Sequence, residues 1–391
     1  MRDTARNAAS MKLNNMLDII DIVRRGPVSR ADVARATGLT RAAVTIIVDR
    51  LQKAGILEVP GADGERGRKN SLLQLMDQGL YFMGIDITRV NCSICIADIK
   101  GNSIAEAGFA LSADAAFEDV LPLIRDRVQD VCRSIGGVER LTGAGVSTPG
   151  PVDITAGKVL SPTNFRMLHN QNVIEQLREV VGCGIWLENN AAARTLYEKN
   201  LGEGRRFSNF MVMIVDTGVG SGLVLEGRLF RGLGFAGEAG HTSVNMDGPL
   251  CACGNRGCLE EYAAIPSLLR REFAGHSDVS SWKDVVDLAL AGNAQCLDVV
   301  SREARYLAQS IVNTANLLDL EAVILIGFIA YRPDLLLEHI RQAVQGVRIT
   351  GHTHGLEIIA SQARENAGAL SAAIIAMEKF LMGQAGWALN G

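Results

Sequence analysis

The chain is expected to be an α/β protein in two parts, a winged helix-turn-helix module over residues 1–78 and a two-lobed α/β domain over residues 79–391. Three observations predict this. Helix caps and a glycine turn stand at helix-turn-helix spacing between Ser29 and Ala54. Apolar strands alternate with helices from Tyr81 onward, and the pattern restarts at Phe210. A knot of histidine and cysteine between His241 and Cys258 braces the second half. With 391 residues there is room for two or three domains of ordinary size, and 48% hydrophobic residues supply their cores.

In the first part, Met16 to Val23 reads as a helical apolar stretch stopped by Arg24-Arg25-Gly26-Pro27. Ser29 can cap a second helix running through Ala36, Thr37-Gly38-Leu39 is a tight turn, and Thr40 can cap a third helix from Arg41 to Ala54. Val44, Ile47, Val48 and Leu51 then fall on one buried face. Gly55-Ile-Leu-Glu-Val and Ser71-Leu-Leu-Gln-Leu read as short strands, and the basic, glycine-rich loop between them makes a wing.

Charge agrees with that reading. Residues 1–75 hold 13 Lys/Arg against 8 Asp/Glu, while the remainder holds 26 against 35. A basic head on an acidic body points to a polyanion, double-stranded DNA, as partner of the head alone. In such a module the third helix enters the major groove, so Arg41, Ala42 and Thr45 are the candidate base-reading residues. Arg66, Arg68 and Lys69 are candidate wing contacts, and Arg30 and Arg35 candidate phosphate contacts.

From Tyr81 to Ile87, from Cys92 to Asp98 and from Asn102 to Ala107 the sequence reads as three hairpin-linked strands, followed by a helix around Phe117–Ser134. Leu141–Thr148 is a buried strand running into Pro149-Gly-Pro151, and Gly184–Asn189 is another. Phe210–Asp216, Val219–Leu225 and Arg228-Leu-Phe begin the second set, and Ala322–Gly327 lies between helices near the end. Two such halves predict a cleft between lobes, where small ligands usually sit.

His241, Cys251, Cys253 and Cys258 supply one imidazole and three thiolates within eighteen positions, in the spacing H-x9-C-x-C-x4-C. This donor set satisfies a tetrahedral zinc ion without leaving a position open, so a structural Zn2+ is expected. Cysteines placed only for packing have no reason to adopt that spacing. Glu238 and Glu260 flank the knot and would be carried by it as hydroxyl acceptors. The remaining cysteines, Cys92, Cys95, Cys132, Cys183 and Cys296, show no paired framework and read as reduced core thiols. The amino terminus lacks the apolar core of a signal peptide, and no apolar run reaches the length of a membrane span, so a soluble cytoplasmic protein with no membrane partner is expected.

Four stretches resemble the ROK family of repressors and sugar kinases, within the actin-like ATPase and hexokinase clan. They are Gly237-Glu-Ala-Gly-His241, Cys251-x-Cys-Gly-Asn-Arg-Gly-Cys-Leu-Glu260, Asp216-Thr-Gly-Val-Gly-Ser-Gly222 and Val146-Ser-Thr-Pro-Gly-Pro-Val152. The resemblance covers the chain from about Met11 onward, and the winged module looks like that of the family's xylose- and glucose-responsive repressors, which its stand-alone kinases lack. It implies an actin-like, hexokinase-type fold for the second part. It also implies that Asn189, Asn190, Glu238, His241 and Glu260 meet sugar hydroxyls, with Gly150 and the Thr163/Asn164 region closing the pocket.

Departures from the kinase pattern bear on activity. Family kinases use the aspartate of a Glu-Asn-Asp triplet as the base, whereas this chain has Glu188-Asn189-Asn190, and an amide cannot take a proton at neutral pH. The first phosphate loop, Asp-x-Gly-Gly-Thr-Lys in the kinases, is Asp86-Ile-Thr-Arg-Val here. The turn near the adenine site is reduced to Ile326-Gly-Phe328, with Phe328 where a purine would lie, and only the second loop, Thr217–Gly222, is kept. The expectation is therefore a sugar-responsive transcriptional regulator, a repressor of carbohydrate-utilisation genes, with no catalytic residues. It would bind an operator as a homodimer or tetramer and answer to a small carbohydrate. The alternatives are a bifunctional sugar kinase and regulator, or a sensor of a phosphotransferase partner protein.

Overall fold

The computed structural model describes residues 2–60, 72–76, 79–112, 114–162, 165–275, 278–345, 355–363 and 367–384. The wing residues Arg66, Arg68 and Lys69, together with Thr163 and Asn164, lie outside them. The chain divides into two compact units, Met1–Asn190 with Gly368–Gly391, and Ala191–Ala367. The winged module thus shares a unit with the first α/β lobe.

The helix-turn-helix is built from α1 (Arg2–Arg24), β1 (Val28–Ser29), α2 (Arg30–Thr37) and α3 (Arg41–Lys53). Ser29 caps α2 by accepting from Asp32 N–H, and Thr40 caps α3 by accepting from Ala43 N–H. Gly38 ends α2 in the left-handed region at φ 71°, which glycine adopts without steric cost. Val44, Val48 and Leu51 bury one face of α3 completely against a core that includes Ile19, Ile20 and Val33. Strands β2 (Leu57–Glu58) and β3 (Leu72–Leu75) pair antiparallel as the base of the wing. The sequence pattern gave no sign of β1, which pairs with the other edge of β3.

In the first lobe, β4 (Tyr81–Ile87), β5 (Asn91–Asp98) and β6 (Ser103–Ala110) form the expected antiparallel run, and α4 (Phe117–Cys132) follows. Next come β7 (Leu141–Thr148), the small ribbon β8 (Val152–Asp153) and β9 (Lys158–Val159), α5 (Val173–Val181) and β10 (Ile185–Asn189). The sheet order among the described residues is β10-β7-β4-β5-β6, with β7 parallel to both its neighbours. Cys92, Cys95 and Cys132 are buried as expected, while Cys183 is only half-buried.

Helix α6 (Asn190–Asn200) leads into the second lobe. There β11 (Phe210–Val215), β12 (Val219–Leu225) and β13 (Arg228–Phe230) are followed by α7 (Leu259–Ala263), α8 (Ile265–Glu272), α9 (Trp282–Leu290) and α10 (Ala294–Leu318). The chain then runs through β14 (Ala322–Ile326), α11 (Asp334–Gln345), β15 (Glu357–Ala360) and α12 (Ala367–Leu381). The second sheet reads β13-β12-β11-β14-β15 among the described residues. Strand β11 is buried on both faces. Met211, Met213 and Val215 join the large core beside α7 to α11, while Phe210, Val212 and Ile214 pack with Ala191 on the other side.

Helix α12 returns to the first lobe and lies closer to its sheet than side chains would allow. Gly84 of β4 and Gly145 of β7 are register partners, and a Cβ at either would stand 1.8 Å from the Ala369 carbonyl oxygen or 1.9 Å from that of Ala372. Phe82 meets Phe380 edge-on at 5.6 Å farther along the same contact. Beyond α12 the chain touches α1: a Cβ at Gly383 would be 3.4 Å from Leu17 Cδ1. Among the described residues no helix is long and apolar enough to cross a membrane.

Candidate functional site

The Gly237-Glu-Ala-Gly-His241 segment is pressed onto the backbone of β12. A Cβ at Gly237 would lie 2.3 Å from the Ser221 carbonyl oxygen, and one at Gly240 2.0 Å from that of Val219, so only glycine permits the approach. Ser221 completes the stitch, its N–H and its hydroxyl both donating to the Gly237 carbonyl at 3.0 and 2.7 Å. Glu238 and His241 stand on this fixed backbone, with His241 N–H donating to the Glu238 carbonyl at 3.0 Å.

The cysteine loop folds back to meet His241. Cys251 N–H donates to Asn255 O at 2.8 Å and Gly254 N–H to Cys251 O at 2.9 Å, which curls the loop on itself. Gly257, at φ 63°, presses against Asn245 so tightly that a Cβ would lie 1.6 Å from its carbonyl oxygen. The result is a cluster in which one ring nitrogen of His241 and the three sulfurs all lie within 4.8 Å of one another. Cys251 Sγ is 3.7 Å from His241 Nδ1, and Cys253 Sγ is 3.6 Å from Cys258 Sγ. A tetrahedral site with metal–sulfur bonds near 2.3 Å has a sulfur–sulfur edge of about 3.8 Å. The four residues therefore fit a closed tetrahedral cation. Nδ1 is the ring nitrogen that faces Cys251 Sγ, which leaves Nε2 on another edge of the ring.

The surroundings set the thiols apart. Burial pushes Cys251 up to about 12, whereas the Asn255 N–H holds the exposed Cys253 below the ordinary thiol value. Asn255 also donates its side-chain amide to the His241 carbonyl at 3.2 Å. Sequence reasoning passed over this residue, although an asparagine beside a glycine turn is a known backbone partner.

Glu260 lies on the first turn of α7, two residues after Cys258, which precedes that helix as its N-cap. Its carboxylate accepts from Val219 N–H at 2.9 Å, and a Cβ at Gly218 would stand 2.8 Å from Glu260 Oε2. Glu238 keeps an exposed edge. Partial withdrawal from water nevertheless raises its carboxyl above the ordinary value, with Glu260 adding to the rise and His241 opposing it. The second unit thus brings Glu238, His241 and Glu260 to one place. In the first unit, Asn189 ends β10 and Asn190 begins α6. Gly150 is close to Asn189, whose Nδ2 would be 2.8 Å from a Cβ there. Asn164 lies outside the described residues.

The loops that differ from the kinase pattern are closed by their own hydrogen bonds. After Asp86, the turn is locked by Thr88, whose hydroxyl donates to Asn91 Oδ1 at 2.7 Å and accepts from Asn91 N–H at 3.0 Å. Asp216 accepts from the Phe328 N–H, and burial raises its pKa. The Phe328 side chain stands exposed on the same unit.

On the winged module, Arg41, Ala42 and Thr45 are exposed at the start of α3. The Thr45 hydroxyl donates back to the Arg41 carbonyl at 2.9 Å, which leaves its methyl and its lone pairs for a partner. Arg35 is paired with Asp32 at 2.8 Å on an exposed surface. Arg30 is turned inward, its Nη2 reaching Gln52 at 3.0 Å and Asp49 at 3.4 Å, so it ties α2 to α3.

Residues 82–379 match the ROK family and residues 17–69 the MarR family. The chain is similar to the xylose repressor of Bacillus spizizenii, 28% identical over 383 residues, which cover 97% of this chain and 98% of that protein. It is also similar to the glucokinase of Thermotoga maritima, 29% identical over 315 residues, or 77% of this chain and 98% of the kinase. Among solved structures, a ROK family transcriptional regulator, a homologue of the E. coli MLC protein, superimposes with a TM-score of 0.83 at 23% identity over 96% of this chain and 98% of that one. With its ROK region built on two α/β sheets and preceded by a MarR-type winged helix-turn-helix region, the chain belongs to the ROK family.

Proposed function

We propose that this protein is a sugar-responsive DNA-binding transcriptional regulator, acting as a repressor of carbohydrate-utilisation genes. Residues 1–78 would be the DNA-binding domain and residues 79–391 the effector domain. The observation that carries the reading is the capped helix-turn-helix, with the start of α3 held in solvent, in one chain with a ROK domain. Similarity to the Bacillus spizizenii xylose repressor over almost the full length of both proteins supports it. The contact of Gly383 with α1 supports a route by which α12 could pass a change in the effector domain to the DNA-binding helices. A homodimer or tetramer would place two winged modules on two half-sites.

The effector's hydroxyls are assigned to Glu238, His241 and Glu260, carried on the stitched backbone described above. Asn189 and Asn190, with Gly150 and Asn164, are assigned to the same ligand by their motif positions. Acceptors held on a fixed backbone and covered by the bound ligand would discriminate among sugar epimers, since an inverted hydroxyl leaves a polar group unpaired. The metal is assigned as zinc in a structural role, on the grounds of its donor set and the near-tetrahedral spacing of those donors. When bound it would fix the His241 ring and the start of α7. The test is operator selection from a random duplex pool, followed by fluorescence anisotropy with and without a panel of monosaccharides. One epimer family should change the affinity. Binding that no sugar alters would sink the sugar-response reading.

Kinase activity is not expected. The amide at Asn190 replaces a base whose loss costs about 10²–10⁴-fold in rate. The Thr88–Asn91 turn has no glycine with which to approach a phosphate, and in the retained loop Val219 N–H is already given to Glu260. Wild-type protein should therefore show no sugar-dependent ATP hydrolysis above background, and Asn190→Asp alone should not restore it. Coupled-enzyme assay of both proteins checks this. The retained loop Thr217–Gly222 favours the bifunctional reading, and steady sugar-phosphate formation by the wild type would establish it.

A further inference from the structure

We infer that Ile46 reads the C5 methyl group of a thymine in the operator, so that this recognition helix selects its sequence largely through an apolar contact. The inference rests on the DNA-binding reading above. Ile46 is 70% exposed, the most exposed large apolar side chain of the winged module among the described residues. It sits opposite the buried face of Val44, Val48 and Leu51, so packing of the helix-turn-helix does not account for an isoleucine there. Its neighbours one turn earlier are Ala42, at i−4, and Thr45 is adjacent. The Thr45 hydroxyl hydrogen is given to the Arg41 carbonyl, so that side chain adds a methyl group beside two acceptor lone pairs. Ala42, Thr45 and Ile46 therefore form one small apolar patch on the first two turns of α3.

Charge around the patch fits a nucleic acid. Along the same helical stripe, Arg50 and Lys53 follow Ile46 at i+4 and i+7, both exposed, and the exposed Arg41 opens the helix on an adjoining face. The one acidic residue on that side, Asp49, is paired with Arg30, which lessens its repulsion of phosphate. Cations before and after the patch along the helix suit the two backbones that border a major groove. An apolar patch between them suits the one apolar feature of base-pair edges in that groove, the thymine methyl.

The experiment uses full-length protein and duplexes it selects from a random pool. Each thymine of a selected site is replaced in turn by uracil, which removes the methyl and keeps every hydrogen-bonding group. Anisotropy titrations at one salt concentration compare wild type with Ile46→Ala. Burying a methyl is worth a factor of roughly three to five in affinity. Wild type should lose about that factor at one thymine per half-site, and Ile46→Ala should bind the thymine and uracil duplexes equally while keeping the wild-type circular dichroism spectrum. A wild type that selects a defined site yet ignores every uracil replacement overturns the inference and leaves the DNA-binding reading intact. Methyl sensitivity that persists in Ile46→Ala overturns it for this residue. Failure to retain any duplex overturns both readings together.

Discussion

Replacing Cys258 by serine is expected to abolish stoichiometric zinc binding and to destabilise the second lobe by more than about 4 kcal/mol, the range reserved for lost metals and broken cores. Cys258 is fully buried and caps α7, and its sulfur contributes one edge of the metal cluster at 3.6 Å from Cys253 Sγ. The substitution thus removes a ligand at a fully buried position, where Sγ also donates to the His241 carbonyl at 3.4 Å. Cys253→Ser separates the two effects, because Cys253 is exposed: it should lose the metal with a smaller loss of stability. Metal analysis of protein purified without added zinc, together with thermal unfolding of the three proteins, checks this. A zinc-free wild type that is fully folded would rule out the structural role of the metal. Since Glu260 and His241 are placed by the same loop, both variants should also lose any response to sugar.

Gly84→Ala and Gly145→Ala are each expected to cost about 3 kcal/mol or more, or to prevent soluble folding. The obstacle at each site is the backbone of α12. A Cβ at Gly84 would meet Ala369 O at 1.8 Å and Ala373 N at 2.5 Å, and one at Gly145 would meet Ala372 O at 1.9 Å. No rotamer change relieves a clash with main chain, so the whole helix must lift from the sheet. That would uncover Ala372, Ile374 and Ile375, all 1% exposed or less. Gly182→Ala is the control. It sits at φ 64° with nothing within 4 Å of the added carbon, so its cost is the left-handed strain alone, roughly 1–2 kcal/mol. Urea unfolding of the three variants would order them. A Gly84→Ala protein as stable as the control would show that α12 does not hold this contact in solution. Because α12 also leads to α1, the same variants should weaken the coupling between effector and operator.

What the sequence determined by itself was whatever depends on neighbours a few residues apart. Ser29 and Thr40 cap the helices that their positions promised, since a hydroxyl reaches a backbone N–H three residues on whatever the rest of the chain does. The strands from Tyr81 and from Phe210 announced themselves through short apolar runs, and the ligand spacing from His241 to Cys258 already carried its coordination chemistry. The tertiary structure alone decided how distant segments meet. Strand β1 was illegible because two residues carry no period, and it exists only because β3 lies beside it. Arg30 read as a phosphate contact, yet its guanidinium lies on Asp49 and Gln52, 19 and 22 positions away. Glu260 read as a free hydroxyl acceptor, yet it also holds the amide of Val219, 41 positions earlier. Gly84 and Gly145 fall inside strand runs that carry no local sign of the α12 backbone packed on them. In each case the deciding energy comes from steric fit or hydrogen bonding across a long loop of chain. Periodicity and capping fix what an element is, whereas its register and distance of approach are set by the partner it packs against.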